Sequence, residues 1–502
     1  MTTTNHKFKI PAEVAKTVEI LKQHNFEAYL VGGCVRDLLL HRKPKDWDIT
    51  TNAIPDKIIE IFPKTFYENT FGTVGVVYEE ASDETVKVIE ITPYRLESTY
   101  SDNRRPDSVS FSQNLSEDLK RRDFTINAIA LDIDIKSEKD GVYKGQTTDL
   151  FKGHEDMEAK ILRTVDGPDA RFQEDGLRIL RAVRIATEIG FTINIETSEA
   201  IVRNAHLLKN IAKERIAVEF NNIIMSKEPA SGLFLCQKLG LLPYILPELE
   251  DAIGVEQNQA HSYDVWEHLI RSLQCAADKG FPLEIRLAAL LHDIGKPKSR
   301  RWDDIQKQWT FHGHEVISAR ITEKVMKHLK YPNKVAEKVH SMVRWHMFFS
   351  DTELISLSAV RRMINNVGRD NIWDLMNVRI CDRIGTGRPK EDPYRLRKYH
   401  SMIEEALRDP ISVGMLKMDG LRLMEVTGEP AGPRIGWILN SILEEVLDNP
   451  ELNTVETLEK MALEKSKLTD QELKAKGDSG KEKKEEAEAE EIKKLRSKHK
   501  VK

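Results

Sequence analysis

Up to about residue 150 the chain switches between two hydrophobic periods. Pro11 to Asn25 repeats apolar side chains at helical spacing and predicts an amphipathic helix. Glu27–Val31 is a short apolar run stopped by Gly32-Gly33 and predicts a strand. Asp46–Thr50, Gly72–Tyr78, Val86–Ile91 and Asn127–Ile135 predict further strands. From Arg171 onward the strand signal fades. Helical periodicity then dominates, with breaks at Pro229, Gly240, Pro243, Pro247 and Gly254. A second helical block, about 261–390, holds most of the histidines, and a third runs to about Lys467. Lys474–Lys502 is nearly all Lys, Glu, Ala and Ser around a GDSG breaker, which cannot bury a core and predicts a disordered or transiently helical tail. No internal repeat is visible. The pattern predicts an α+β protein: a mixed-sheet domain over 1–150, an all-helical segment over 151–255, helical domains over 256–390 and 391–470, and a charged tail over 471–502.

Composition changes this picture little. A chain of 502 residues is too long for one ordinary core and suggests about three or four domains. Hydrophobic residues at 40% and charged residues at 31% fit a globular protein with a solvated surface. No apolar run is long enough to cross a bilayer, and Met1 to Lys9 lacks the apolar stretch of a secretory signal, so a cytoplasmic location is expected. Cys34, Cys236, Cys275 and Cys381 are widely spaced and read as buried free thiols. The net charge of −5 does not advertise a nucleic-acid binder, but phosphate recognition needs a local basic track rather than a basic total.

The candidate chemistry begins where the strand Glu27–Val31 ends. In Gly32-Gly33-Cys34-Val35-Arg36-Asp37 a helix follows two glycines at once. Free N–H groups at a helix start attract phosphate, and glycines let it approach the backbone. Arg36 adds a positive charge. Taken alone, a double glycine after a strand is usually just a turn. Asp46 and Asp48 in Lys45-Asp46-Trp47-Asp48-Ile49 share one strand face, while Trp47 and Ile49 can enter the core. Two adjacent carboxylates suit Mg²⁺, and two ions about 3.5–4 Å apart would activate a 3′-hydroxyl and steady a leaving pyrophosphate. Glu90, a charge inside the apolar strand Val88-Ile89-Glu90-Ile91, is the candidate third carboxylate, with an exposed edge-strand position as its plain alternative.

GGCVRDLLL, KDWDITTNA, RRDFTINAIA and EDGLRILRAVRIA, in this order over about 28–230, resemble the successive motifs of the class II tRNA nucleotidyltransferase and bacterial poly(A) polymerase family. The resemblance implies a polymerase-beta-like head, a helical neck and a helical C-terminal body that contacts tRNA. Gly32, Gly33 and Arg36 would then bind nucleotide, and RRDFTINA would hold its ribose and phosphates. Arg122 suits phosphate, and Asp123 and Asn127 suit a ribose hydroxyl. Asp175 and Arg178, read as three apart on one helix face, would select C and A by base edge, with Arg181 and Arg184 continuing the stripe. Glu214-Arg215 reads as structural. Arg95 to Phe111 corresponds to the family's flexible loop, and its full length, with Asp102, Arg104 and Arg105, favours complete CCA addition. The partners implied are the 3′ end of tRNA, CTP and ATP, with Mg²⁺ in the head. A poly(A) polymerase is the rival on the same head.

The histidine-rich block carries His268, then His292-Asp293 in LLHDIGKP, then Asp382 in NVRICDRIGTG. Adjacent His and Asp joined by ligands from flanking helices make a plausible divalent-metal site with open positions for water, either Mg²⁺ or a transition metal. The segment and spacing resemble the HD phosphohydrolase superfamily, which marks 256–390 as an HD domain. The resemblance implies hydrolysis of phosphate or cyclic-phosphate RNA ends, extra ligands at His314 and His346, and Lys296 as a phosphate contact. An alternative of another class makes this the working site and the head an RNA-binding module. Arg361-Arg362 and Arg395-Arg397-Lys398 are candidate tRNA contacts whose plainer reading is solvated surface.

Overall fold

Burial alternates along the longer strands of the N-terminal part, as one covered sheet face requires. In the computed structural model the described residues are 5–67, 72–97, 109–258, 262–347, 355–387 and 393–473. The chain divides into two compact units, Met1–Pro247 and Glu248–Lys502.

The first unit is built on one mixed sheet. Its strands are β1 (Asn5–Lys9), β2 (Ala28–Val31), β3 (Asp48–Thr51), β4 (Thr65–Tyr67), β5 (Val74–Val77), β6 (Val88–Pro93), β7 (Ile129–Lys139) and β8 (Val142–Asp149), in the order β1-β8-β7-β2-β3-β6-β5-β4. Adjacent strands are antiparallel except β3 and β6, which run parallel with Asp48 opposite Glu90. Helix α1 (Ala12–Gln23) buries Val14, Val18 and Leu21, the i, i+4, i+7 stripe that its sequence predicts. Strands β1, β4 and β8 were not legible, because their alternation mixes few apolar residues with many polar ones. Arg95–Glu97 pairs with Val109–Phe111 at the base of the expected loop. The rest of that loop, including Asp102, Arg104 and Arg105, lies outside the described residues, as does the tail from Lys474.

Helices then take over, with one short exception: Thr192–Ile193 pairs parallel with Ile161–Leu162. Helix α2 (Gly33–Leu39) follows β2, and α3 (Leu115–Lys120) precedes the RRDF segment. Further on come α4 (Pro168–Glu174), α5 (Leu177–Ile189) and α6 (Lys213–Met225). EDGLR does not lie in one helix, contrary to expectation. α4 ends at Glu174, Asp175 is extended (φ −142°, ψ 106°), and α5 starts after Gly176.

The second unit is almost entirely helical. Helix α7 (Val265–Asp278) and α8 (Leu283–Leu291) are followed by a ribbon of β9 (Arg301–Asp303) and β10 (Gln308–Thr310), which the sequence did not signal. Then come α9 (His314–His328), α10 (Asn333–Trp345), α11 (Leu357–Val367) and α12 (Ile372–Gly385). Helix α8 is buried from Ile285 to Leu291 because α7, α10 and α12 pack around it. Helices α13 (Tyr394–Ala406), α14 (Pro433–Asp448) and α15 (Val455–Lys465) form the C-terminal body. Arg361 and Arg362 on α11 are structural, not solvated. Arg361 is buried, donating to Asp409 (2.7 Å) and to the Leu447 carbonyl (2.9 Å), while Arg362 pairs with Glu444 (2.9 Å) and Asp448 (2.7 Å). All four cysteines are buried and none forms a disulfide. No helix among the described residues is long and apolar enough to cross a membrane.

Candidate active site and metal centre

Strand pairing brings the head carboxylates together. Asp48 opens β3 and stands in register with Glu90 on β6. The Glu90 N–H donates to the Trp47 carbonyl (3.1 Å). Asp46 lies just before β3, exposed, rather than within the strand. Trp47 and Ile49 anchor the segment in the core. Burial, then the charges of Asp46 and Glu90, push the Asp48 carboxyl up to about 7, while Arg122 and Arg181 oppose the rise. A half-buried carboxylate set that repels itself fits a divalent cation.

Gly32 faces this set in a conformation (φ 82°, ψ −141°) that L side chains rarely adopt. A Cβ there would sit 3.1 Å from Asp48 Oδ2 and 3.4 Å from Arg122 Nη1. A buried polar network backs the opening. Arg36 donates through Nε (2.9 Å) and Nη2 (2.8 Å) to Asp37 and through Nη1 (3.1 Å) to Asn127, and Asn127 donates to Asp123 (3.1 Å). Asp123 accepts from Arg181 Nε (3.0 Å) and Nη2 (2.7 Å). Burial opposes its ionisation, but Arg181 overcomes this and holds the carboxyl well below the usual range. Arg184 pairs with Glu219 (2.7 Å) and Glu188 (3.7 Å), and Glu188 reaches Lys45 (3.1 Å), the residue before Asp46.

In the second unit the metal-type residues converge more tightly. His268 on α7, His292 at the end of α8, Asp293 and Asp382 on α12 are buried. His268 Nε2 lies 2.9 Å from His292 Nε2, 3.1 Å from Asp293 Oδ2 and 3.5 Å from Asp382 Oδ1. His292 Nε2 lies 3.3 Å and 3.6 Å from the same two oxygens. Ligands held about 2.0–2.2 Å from one ion stand roughly 3–3.5 Å apart, so the spacing fits a single cation. The other Asp293 oxygen lies 3.0 Å from His314 Nε2 and 3.4 Å from His346 Nε2, which makes a second group sharing Asp293. The Nδ1 atoms of His292, His314 and His346 each meet a backbone carbonyl at 2.7–2.9 Å. Donation there leaves Nε2 as a lone pair aimed at the cluster. Burial opposes charge on His292, yet Asp293 and Asp382 hold its proton up to about 10, so the anionic cluster calls for a cation. Helices α7 and α12 meet closely only because position 385 is glycine: a Cβ there would fall 2.8 Å from the His268 carbonyl. That contact sets Asp382, one turn earlier, beside His268.

Three family models match the chain: the "Poly A polymerase head domain" over 28–163, the "Probable RNA and SrmB- binding site of polymerase A" over 190–253, and the "HD domain" over 259–386. The chain is 33% identical over 455 residues to a CCA-adding enzyme of Geobacillus thermodenitrificans (strain NG80-2), spanning 89% of this chain and 95% of that one. It belongs to the CCA-adding enzyme family. A second member, from Geobacillus stearothermophilus, is 32% identical over 91% of this chain and 97% of its own. The crystal structure of the Bacillus stearothermophilus CCA-adding enzyme in complex with CTP is similar with a TM-score of 0.66 and 28% identity, covering 91% of this chain and 97% of that one.

For a CCA-adding enzyme family member, the placement of the expected site residues is uneven. Asp46, Asp48, Glu90, Gly32 and Arg122 gather at one opening. Arg36 is buried and orients Asn127 instead of offering an open charge. Asp175, two residues before Leu177 opens α5, accepts from the Leu177 N–H (3.0 Å) and pairs with Arg215 (2.8 Å). Arg178 donates to the carbonyls of Arg171 (3.2 Å) and Arg121 (3.1 Å) and contacts Glu174. The pair expected to read the base is thus braced from several sides, not displayed on one helix face. Sequence reasoning missed Asp118 and Glu219. Glu219 had a signal, a charge among the buried Ile216, Ala217 and Phe220 of α6. Asp118, which binds Arg121 and Arg122 (3.1 Å), had only its proximity to RRD.

Proposed function

We propose that this chain adds CMP and then AMP to the 3′ end of tRNA, drawing on CTP and ATP, and so completes the CCA terminus. The observation that carries the reading is the register of Asp48 with Glu90, beside Asp46 and facing Gly32 and Arg122, in a chain aligned along nearly the whole length of CCA-adding enzymes. Asp46, Asp48 and Glu90 would hold Mg²⁺, which supplies charge for the attacking 3′ oxygen and the departing pyrophosphate. Gly32 leaves room for phosphate where a side chain would block it, and Arg122 turns its guanidinium toward that room. The Arg36–Asn127–Asp123–Arg181 network fixes the wall on which the ribose would lie. Asp175 and Arg178 would read the base, their positions held by Arg215 and Glu174; each carboxylate oxygen keeps a further lone pair for an incoming donor. The head would span 1–150, the neck 151–255, the HD domain 256–390 and the body 391–470.

Incubation with tRNA lacking its end, with each nucleotide supplied separately and together, tests this. CMP incorporation followed by one AMP is expected. A long AMP ladder without CMP would make the chain a poly(A) polymerase. The second unit supports a second activity, hydrolysis of phosphate or cyclic-phosphate ends of RNA. His268, His292, Asp293, Asp382, His314 and His346 would hold divalent ions there, which supply an activated water.

A further inference from the structure

One face of the β9–β10 ribbon is built unlike the rest of the second unit. Trp302 and Trp309 stand directly opposite each other, edge to face, with ring centroids 5.1 Å apart. Trp302 is 47% exposed. Trp309 is half-buried. An isolated two-stranded ribbon is marginal in water, so an exposed tryptophan beside a half-buried one there contributes little to a core. The Arg300 guanidinium lies 3.7 Å from the centre of the Trp309 ring. Its Nε is buried without a hydrogen-bond partner among the described residues, and it pairs with a largely exposed Glu256 (3.4 Å), which holds it weakly.

The same segment runs into the metal-type cluster. Two residues beyond Trp309, Phe311 lies 5.6 Å from Lys296 Nζ, and its carbonyl lies 2.7 Å from His314 Nδ1. Lys296 Nζ is 2.6 Å from Asp293 Oδ2 and donates to Gln257 Oε1 at 2.6 Å. The indole pair and the cluster thus lie on one short stretch of chain: Trp309 is two residues from Phe311, and Phe311 meets Lys296, which pairs with Asp293. Aromatic faces joined by a guanidinium stack on any nucleobase, because every base has a π-face. Arg301 and Lys307 are exposed on the ribbon, and of its two acids Asp303 accepts from the turn N–H groups of Ile305 and Gln306. The balance favours a polyanion.

We infer that this ribbon is the docking platform for the single-stranded 3′ end of an RNA, whose terminal bases stack on Trp302 and Trp309 while the terminal phosphate reaches the cluster at Asp293. The inference rests on reading that cluster as a phosphohydrolase centre. The test compares the full chain with Trp302→Ala after loading with Mn²⁺. One substrate is a short RNA ending in 2′,3′-cyclic phosphate, and the other is bis(p-nitrophenyl) phosphate, which has no base to stack. The ratio of the two kcat/KM values is expected to fall about tenfold, the size of one lost base–aromatic stack. An unchanged ratio overturns the platform while leaving the hydrolytic centre intact. If the unsubstituted chain cleaves neither ester, the hydrolytic reading fails, and binding decides the platform by itself. Quenching of tryptophan fluorescence by a five-nucleotide single-stranded RNA should be weaker in Trp302→Ala, and identical quenching overturns it.

Discussion

Replacing Gly32 by alanine probes the carboxylate opening most sharply, and Gly33 next to it provides the control. At φ 82° and ψ −141° an alanine at 32 is strained by about 1–3 kcal/mol. Its Cβ would also stand 3.1 Å from Asp48 Oδ2, tighter than most real Cβ contacts, so the carboxylate must shift by a few tenths of an ångström. Together these predict a loss of about 2–3 kcal/mol in the stability of the first unit. Gly33 opens α2 without a positive φ, and a Cβ there meets Arg36 Nη2 at 3.7 Å and Asp46 Oδ1 at 3.8 Å, ordinary contacts. Gly33→Ala should leave stability within about 1 kcal/mol, since alanine is the better helix former. Urea unfolding of each variant measures the difference. Single-turnover CMP incorporation by Gly32→Ala should fall at least about tenfold, because small displacements of a reacting group are costly. Equal stability of the two variants, or full incorporation by Gly32→Ala, would refute the reasoning.

Two further outcomes follow. Burial opposes ionisation of Asp118, but Arg121 and Arg122 hold its carboxyl below the usual range. Asp118→Asn should therefore cost about 3 kcal/mol at pH 7 by leaving two guanidiniums without their buried counter-charge. A carboxyl lowered in the folded state stabilises fully above its unfolded pKa of about 4, so the gap between the two proteins should begin to narrow below that value and close as pH falls through the lower folded pKa; a gap constant with pH contradicts the assignment. In metal titrations by calorimetry, Asp293→Ala should abolish binding at the second unit, whereas His314→Ala and His346→Ala should each remove one equivalent and spare the His268–His292–Asp382 group. Equal loss from all three substitutions would mean that Asp293 does not bridge two ions.

What was legible in the sequence had local cause. The HD cluster could be read because His292 and Asp293 are adjacent and the helix carrying His268 is strongly periodic, whereas the helix carrying Asp382 is not and was placed by spacing and resemblance. Asp46 and Asp48 were legible as a pair, but the partnership of Asp48 with Glu90 depends on which strands lie side by side. Arg36 read as an open phosphate ligand because its partner Asn127 is 91 residues away. Arg361 read as solvated for the same reason, with Asp409 48 residues on. Asp175 and Arg178 sit three apart, yet the backbone turns at Gly176, and an i,i+3 reading assumes an unbroken helix. The β9–β10 ribbon was hidden among helices because two three-residue strands leave almost no periodic signal.

Asp46 and Asp48 are proposed to serve nucleotide addition rather than the fold. Single-turnover incorporation of CMP and AMP into tRNA lacking its end, by Asp46→Ala and Asp48→Ala variants whose tRNA affinity is measured in parallel, tests it most directly. Addition should be lost while tRNA binding is largely retained. Addition at the rate of the unsubstituted chain would contradict it.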